Sequence, residues 1–350
     1  MRNSGLWLIL CVIAIQFACS KNTESPQPAG ESYYYPPLTG TTWETESPES
    51  LGWDPGKLND LLNYVQANNS SSFIILHKGR IVVEKYWIGN AVTSAKIFSA
   101  TKSMGAFMIG LAQEQGKLDI NQEVNTYISP GWSRASASQE AKITVKDLIS
   151  MTSGLNENLT YDTVPGARWR YNTLAYHRIY EVLASAYNQS NDNYTKAQLW
   201  DKIGMQDAFW DTEPGGGPTM SCSARDMARF GLMMLSGGKW NGAPVMTNAA
   251  YFQSMINSSQ TLNPAYGYLW WLNGKSSFIL PTSESFNGPL MPNAPADLVT
   301  ALGYGDKKIY VVKSMDLVVI RHGSPSNAPV TYALSNFDNE IWKLLMLAIP

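Results

Sequence analysis

Phe98-Ser99-Ala100-Thr101-Lys102-Ser103-Met104-Gly105-Ala106-Phe107-Met108-Ile109-Gly110-Leu111-Ala112-Gln113-Glu114-Gln115 is apolar around most of a helical circumference and stops at Gly116. A helix apolar on nearly every face is a buried helix, and glycine is a common stop. Ser99 and Lys102 stand in its first turn, where positions i and i+3 share a face. The helix N-terminus offers free N–H groups and favours negative charge there. Burial lowers an amine's pKa, and a neutral amine beside a serine activates the hydroxyl as a nucleophile. A serine cap followed by a snorkelling lysine fits the same residues, so the helix alone leaves both readings open. A second Ser-x-x-Lys, Ser236-Gly-Gly-Lys239, follows another apolar run and reads as a helix stop and turn.

Strand signals flank this helix and return near the end of the chain. Residues 72–79 (SFIILHKG) and 80–89 (RIVVEKYWIG) are apolar, β-branched runs that predict a β-hairpin, with His77 exposed and uncommitted at its turn. Residues 268–272, 308–312 and 317–321 also read as strands, with a turn at 313–316, and residues 331–348 read as a closing amphipathic helix. Residues 118–238 read as mostly helical. Thr144-Val-Lys-Asp147 and Ser223-Ala-Arg-Asp226 there carry the capping-box pattern. His177 is expected at the surface or boundary of a helix whose Tyr176, Ile179, Tyr180 and Leu183 share one face. Strands from both chain ends around a helical middle predict an α+β fold with two lobes. One lobe comprises about 51–115 and 255–350, the helical lobe about 116–254, and the cleft between them is the default site.

Composition narrows the chemistry. The 350 residues are 44% hydrophobic, enough for a sizeable core. Twenty-six basic residues against 28 acidic ones give a net charge of -2, which does not support nucleic-acid binding. His77, His177 and His322 are far apart in sequence, so the spacings of multi-histidine metal sites are missing and no metal or cofactor is expected. Catalysis is then expected from Ser, Lys, Tyr or carboxylates.

The N-terminus reads as a secretory signal over residues 1–18, with Arg2 ahead of a 13-residue apolar run from Leu6 to Ala18. Ala18-Cys19 is a candidate lipoprotein cleavage site with Cys19 as lipid anchor; ordinary secretory cleavage is the alternative. The expectation is an exported protein, periplasmic or anchored at the outer membrane. Residues 19–50, rich in Ser, Thr, Pro, Gly and Tyr, read as a flexible tether. Cys11 leaves with the signal. Cys222, the thiol left in the folded part, is expected to be a small structural residue.

Tyr171-Asn172-Thr173 follows the loop Pro165-Gly166-Ala167-Arg168-Trp169-Arg170. A tyrosine there fits either a buried ring or a general base with a lowered pKa.

Taken in order, these motifs resemble the penicillin-recognising serine hydrolases: class C β-lactamases, D,D-peptidases, and their esterase and 6-aminohexanoate-dimer hydrolase relatives. Phe98 to Ser103 resembles the nucleophile motif, and residues 143–155 (ITVKDLISMTSGL) the helix and turn before the cleft. Tyr171 to Thr173 resembles Tyr-x-Asn; residues 224–231 (ARDMARFG) and 266–271 (YGYLWW) also match. The resemblance covers about residues 51–350. It implies a β-lactamase/transpeptidase-like antiparallel sheet, Ser99 as nucleophile, Lys102 as its partner and Tyr171 as a base, the latter two titrating as a pair. It implies oxyanion donors at Ser99 and at Gly303-Tyr304, and a substrate contact at Thr173.

Departures from the pattern shape the expected function. Thr173 replaces the second-motif Asn and lacks its amide fork. Gly303-Tyr304-Gly305-Asp306-Lys307-Lys308 stands where Lys-Thr-Gly or His-Thr-Gly belongs and resembles the turn of the esterase and linear-amide branch. A β-lactam carboxylate then loses its cationic partner unless Lys307 or Lys308 turns inward. The loop from Leu155 to Pro165 is short, which implies an open cleft. The expectation is a metal-independent serine hydrolase acting on a small or peptide-like ester or amide. The alternatives are a true β-lactamase or D,D-peptidase, or a non-catalytic cell-surface binding protein of the same fold.

Overall fold

The early hairpin forms between β1 (Ser70–His77) and β2 (Arg80–Tyr86). In the computed structural model, which describes Met1 and residues 33–350 except Pro329, Tyr332 and Ala333, this hairpin becomes one edge of a six-stranded sheet. Five helices position the site: α1 (Pro55–Ala67), α2 (Thr101–Glu114), α3 (Thr173–Tyr187), α4 (Ala224–Leu235) and α5 (Asn336–Ala348). The later strands are β3 (Phe209–Thr212), β4 (Pro218–Cys222), β5 (Trp271–Leu272), β6 (Val299–Gly303), β7 (Lys307–Val312) and β8 (Leu317–Gly323).

The sheet runs β2-β1-β8-β7-β6-β5, antiparallel throughout. Strand β1 from the start of the folded chain therefore pairs with β8 from near its end, as the two-ended strand pattern predicted. Helices α1 and α5 pack together against one face, and α4 covers the other. Alternation along β7 sorts the faces: Lys308 and Tyr310 reach Asp338 of α5, whereas Ile309 meets α4 at Gly231. Every residue of α2 from Thr101 to Ala112 is buried, which is what an all-round apolar helix requires. The capping boxes at Thr144 and Ser223 both form.

Three expectations need correction. Residues 118–238 are not all helix and loop: Pro214-Gly-Gly-Gly-Pro218 turns β3 back onto β4, which pairs with the two-residue strand Ala95–Lys96. Proline and glycine break helices and make turns, so that run ends helical structure there. The strand expected over 268–272 shrinks to Trp271–Leu272. Tyr266 and Trp271 instead bridge a tight turn in which Leu269 takes a φ of 58°.

The third concerns the tether. Residues 33–50 lie along the folded unit, which comprises Tyr33–Pro350. Tyr34 N–H donates to Lys78 O (2.9 Å), and buried Trp43 donates through Nε1 to Gly79 O (2.8 Å). Thr45 pairs with Ile81, and Arg229 donates to Pro37 O (2.8 Å). The aromatic residues that looked like linker composition are anchors. Residues 2–32, which hold the expected signal and Cys19, lie outside the described residues. Among the described residues no helix is long and apolar enough to cross a membrane.

Candidate active site

Ser99 sits in the 3₁₀ turn Phe98–Ala100 that opens into α2. The hairpin β3–β4 holds this turn. Ile97 N–H donates to Met220 O (2.9 Å), Met220 N–H donates to Thr101 Oγ1 (3.0 Å), and the Thr101 and Thr219 hydroxyls meet at 3.2 Å. Phe98 takes a φ of 48°, a conformation a bulky residue keeps only where its surroundings impose it.

Lys102 Nζ lies 2.9 Å from Ser99 Oγ. The side chain is only 1% exposed and sits 4.0 Å from the Tyr176 ring centroid and 5.0 Å from that of Tyr171. Burial lowers its pKa from 10.5 to about 7, against an upward pull from the Glu213 carboxylate. The snorkelling alternative is therefore excluded by position. Near neutral pH a sizeable fraction of Lys102 is the free amine, which can accept the Ser99 proton.

Tyr171 is also hydrogen-bonded to Ser99. Burial raises its pKa well above 10; the bond to Ser99 opposes that shift and Glu213 adds to it. Its surroundings therefore keep the phenol protonated, in contrast to a base with a lowered pKa. The ring stacks on Trp271 (centroids 6.3 Å, 19°) and meets Tyr266 edge-on (6.4 Å, 79°). This explains the 266–271 motif: its tight turn delivers both rings to Tyr171. Ser103 of α2 donates to Leu269 O (2.7 Å), tying the turn to the Ser99 helix. A Cβ at Gly267 would lie 2.2 Å from Met255 O, so no side chain fits there.

Asn172 faces inward as the α3 N-cap, accepting from Ala175 N–H (3.0 Å) and donating to Leu155 O and Asn156 O (3.1 and 2.7 Å). Thr173 is thereby left on the cleft wall, as the motif predicts. The cleft encloses about 830 Å³ and includes Phe98, Ser99, Tyr171, Thr173, Glu213 and Tyr304 on its walls. Gly303 lies behind that wall: a Cβ there would come within 2.1 Å of Ile97 O, so glycine lets β6 approach the Ser99 turn. Tyr304, 58% exposed, meets Phe98 edge-on at 5.7 Å. Both expected oxyanion donors thus belong to segments that meet in the cleft.

Neither third-motif lysine supplies a cleft cation. Lys308 is buried between Asp306 Oδ1 (3.1 Å) and Asp338 Oδ2 (2.8 Å). Burial pushes the Asp306 carboxyl up, but the Lys308 ammonium and the hydrogen bonds from Ser326 together outweigh it and hold the pKa down at about 2. Lys307 donates to Gly323 O, and its pKa falls to about 8 by burial. Arg321 donates to Gly305 O (3.0 Å), Asp306 O (3.1 Å) and Asn68 O (2.8 Å). The cations of this region brace the turn that carries Tyr304.

The histidines lie elsewhere. His77 is engaged rather than uncommitted, with Nδ1 3.1 Å from Glu46 Oε2. His177 is more buried than the boundary position expected, at 8% exposure, and burial takes its pKa to about 3. His322 is likewise held neutral by burial, its Nε2 3.1 Å from Cys222 O. Cys222 is a free, buried thiol whose pKa burial raises, consistent with a structural role. Among the described residues no group of three or more His, Cys, Asp or Glu is placed to hold a metal ion.

Among the cleft residues that sequence reasoning missed, Glu213 matters most. Glu213 was hidden by reading its segment as helical. The signal that could have exposed it was the Pro-Gly-Gly-Gly-Pro run beside it, which places a carboxylate at a hairpin tip.

A serine paired with a buried lysine and a tyrosine, set between a two-ended antiparallel sheet and a helical lobe, defines the class of penicillin-recognising serine hydrolase folds. The family model described as Beta-lactamase matches residues 62–320, and the chain belongs to that family. A curated Bacillus subtilis relative, "Putative penicillin-binding protein PbpX", is 24% identical over 59% of this chain, which spans 60% of that relative's length. The fold is similar to that of the "Putative 6-aminohexanoate-dimer hydrolase from Bacillus anthracis" (TM-score 0.65, 17% identity), over 87% of this chain and 86% of that one. It is also similar to a "Beta-lactamase/D-alanine Carboxypeptidase from Yersinia pestis" (TM-score 0.63, 14% identity), over 83% and 98% of the two chains. At these identities the structural likeness speaks for the fold.

Proposed function

We propose that the protein hydrolyses an ester or a linear amide through an acyl-enzyme on Ser99. The observation that carries this reading is the 2.9 Å contact of Ser99 Oγ with a buried lysine whose pKa lies near 7. Neutral Lys102 takes the hydroxyl proton as Ser99 Oγ bonds to the carbonyl carbon. The oxyanion is received by the N–H groups of Ser99 and Tyr304. The bond to the leaving oxygen or nitrogen then breaks, and that atom receives the proton through Lys102 and Tyr171. Water adds to the acyl-serine by the reverse proton path and releases the acid. Each step uses side chains, backbone N–H groups and water, so chelation by EDTA should leave turnover unchanged.

The commitment of Lys307 and Lys308 to other partners favours esters and linear amides over β-lactams and D-Ala peptides. Exposure to a mixed ester, amide and β-lactam panel, followed by mass spectrometry, tests this. An acyl adduct on Ser99, absent in Ser99→Ala, is the expected result. No adduct and no fluorophosphonate labelling would favour the binding-protein alternative, and fast nitrocefin turnover lost in Ser99→Ala would overturn the substrate preference. Export and lipidation at Cys19 are proposed from residues 1–19 of the sequence. Labelling with a fatty-acid analogue that persists in Cys19→Ala would refute the anchor.

A further inference from the structure

The charge of the cleft is unbalanced. Its charged lining residues are Glu157, Arg170 and Glu213. Arg170 is already neutralised, by Glu157 (2.8 Å) and Asp162 (3.4 Å). Glu213 is different. Its half-buried side chain has no hydrogen bond or ion pair among the described residues, although its backbone is fixed by bonds to Gly217 O (2.7 Å) and from Gly216 N–H (2.9 Å). The cation that acts on it electrostatically is Lys102, which is neutral for much of its time at working pH. A carboxylate held at a hairpin tip on the wall of the Ser99 cleft, with no hydrogen bond or ion pair among the described residues, is suited to receive a positive group.

We infer that Glu213 is a specificity residue: its carboxylate receives an ammonium or guanidinium group of the substrate and disfavours a carboxylate in the same place. The inference rests on the acyl-enzyme reading above and narrows its substrate class to cationic acyl donors. It agrees with the absence of a free lysine at the third motif, since both features turn anionic substrates away. The attraction acts in a partly solvated cleft, so it amounts to a preference on the order of tenfold and weakens as salt rises.

Three p-nitrophenyl esters of one chain length test it, ending in trimethylammonium, its neutral tert-butyl isostere, or carboxylate. They are compared at pH 8.5, where Lys102 is mostly neutral in wild type and Glu213 variants alike. In wild type kcat/KM should fall in that order, by about tenfold from cation to isostere. Glu213→Gln should bring the ratio close to one, and Glu213→Lys should reverse it. A wild-type ratio near one, or the same ratio in Glu213→Gln, overturns the inference. Turnover of the neutral ester with Ser99 acylation then shows that the acyl-enzyme reading still stands; if no ester acylates Ser99, that reading fails and the inference with it.

Discussion

Replacing Lys102 with methionine should abolish turnover and at the same time stabilise the fold in a pH-dependent way. The lysine's pKa falls from 10.5 to about 7 on burial. At about 1.36 kcal/mol per pKa unit, keeping the charged form in the folded site costs up to about 5 kcal/mol. Below pH 7 both folded and unfolded chains carry the proton, so that cost is present in full. Between pH 7 and 10.5 the unfolded chain keeps the proton that the folded chain has lost, so wild-type stability rises with pH. Above 10.5 the cost is gone. Methionine fills a similar volume without a charge. Lys102→Met should therefore exceed wild type by an amount that shrinks at about 1.4 kcal/mol per pH unit from pH 7.5 to 9.5. Urea titrations at matched ionic strength measure it. Packing changes and the lost Ser99 hydrogen bond alter the offset between the two proteins but not this slope, and taking the difference removes the contribution of Lys307. A flat difference across that window would refute the assignment of a lowered pKa to Lys102. The same group should set the acid limb of kcat/KM near pH 7 in wild type. Glu213→Gln should move that limb to lower pH, because Glu213 pulls the lysine's pKa upward.

Two further outcomes follow from packing. Trp271→Ala removes the ring on which Tyr171 stacks, so it should destabilise by about 3 kcal/mol and lower kcat by tenfold or more; Trp271→Phe should restore most of kcat. Lys308→Met leaves the buried Asp306 and Asp338 carboxylates without their shared ammonium and should cost about 3–5 kcal/mol by urea unfolding. Pairing it with Asp338→Asn should recover part of that loss, and equal stability of single and double variants would argue against the pairing.

The nucleophile helix was legible because its signal is local. Apolar residues on every face, a serine and lysine three apart and a glycine stop all fall within residues 98–116. The hairpin and the late strands showed themselves by alternation, and their separation along the chain implied that the two ends share a sheet. Motif resemblance added Tyr171 and the 266–271 segment, although nothing in the segment itself said that its turn carries a stacking partner for the tyrosine. Glu213 was not legible, because the helical reading of residues 118–238 passed over its Pro-Gly turn. The aromatic residues between 33 and 50 looked like linker because composition cannot register a buried tryptophan held by a distant carbonyl.

Residue order alone pointed to the family, the candidate nucleophile and the two-ended sheet, since periodicity, capping and short motifs are set by neighbours a few positions apart. Folding settled matters that depend on residues far apart in sequence. It assigned Lys308 to Asp306 and Asp338 rather than to the cleft, and it placed Glu213 on the wall of the Ser99 cleft with no hydrogen bond or ion pair among the described residues. It also set the protonation of Lys102, because a pKa follows the dielectric and charges around a group, and those come from side chains brought together only by the tertiary packing.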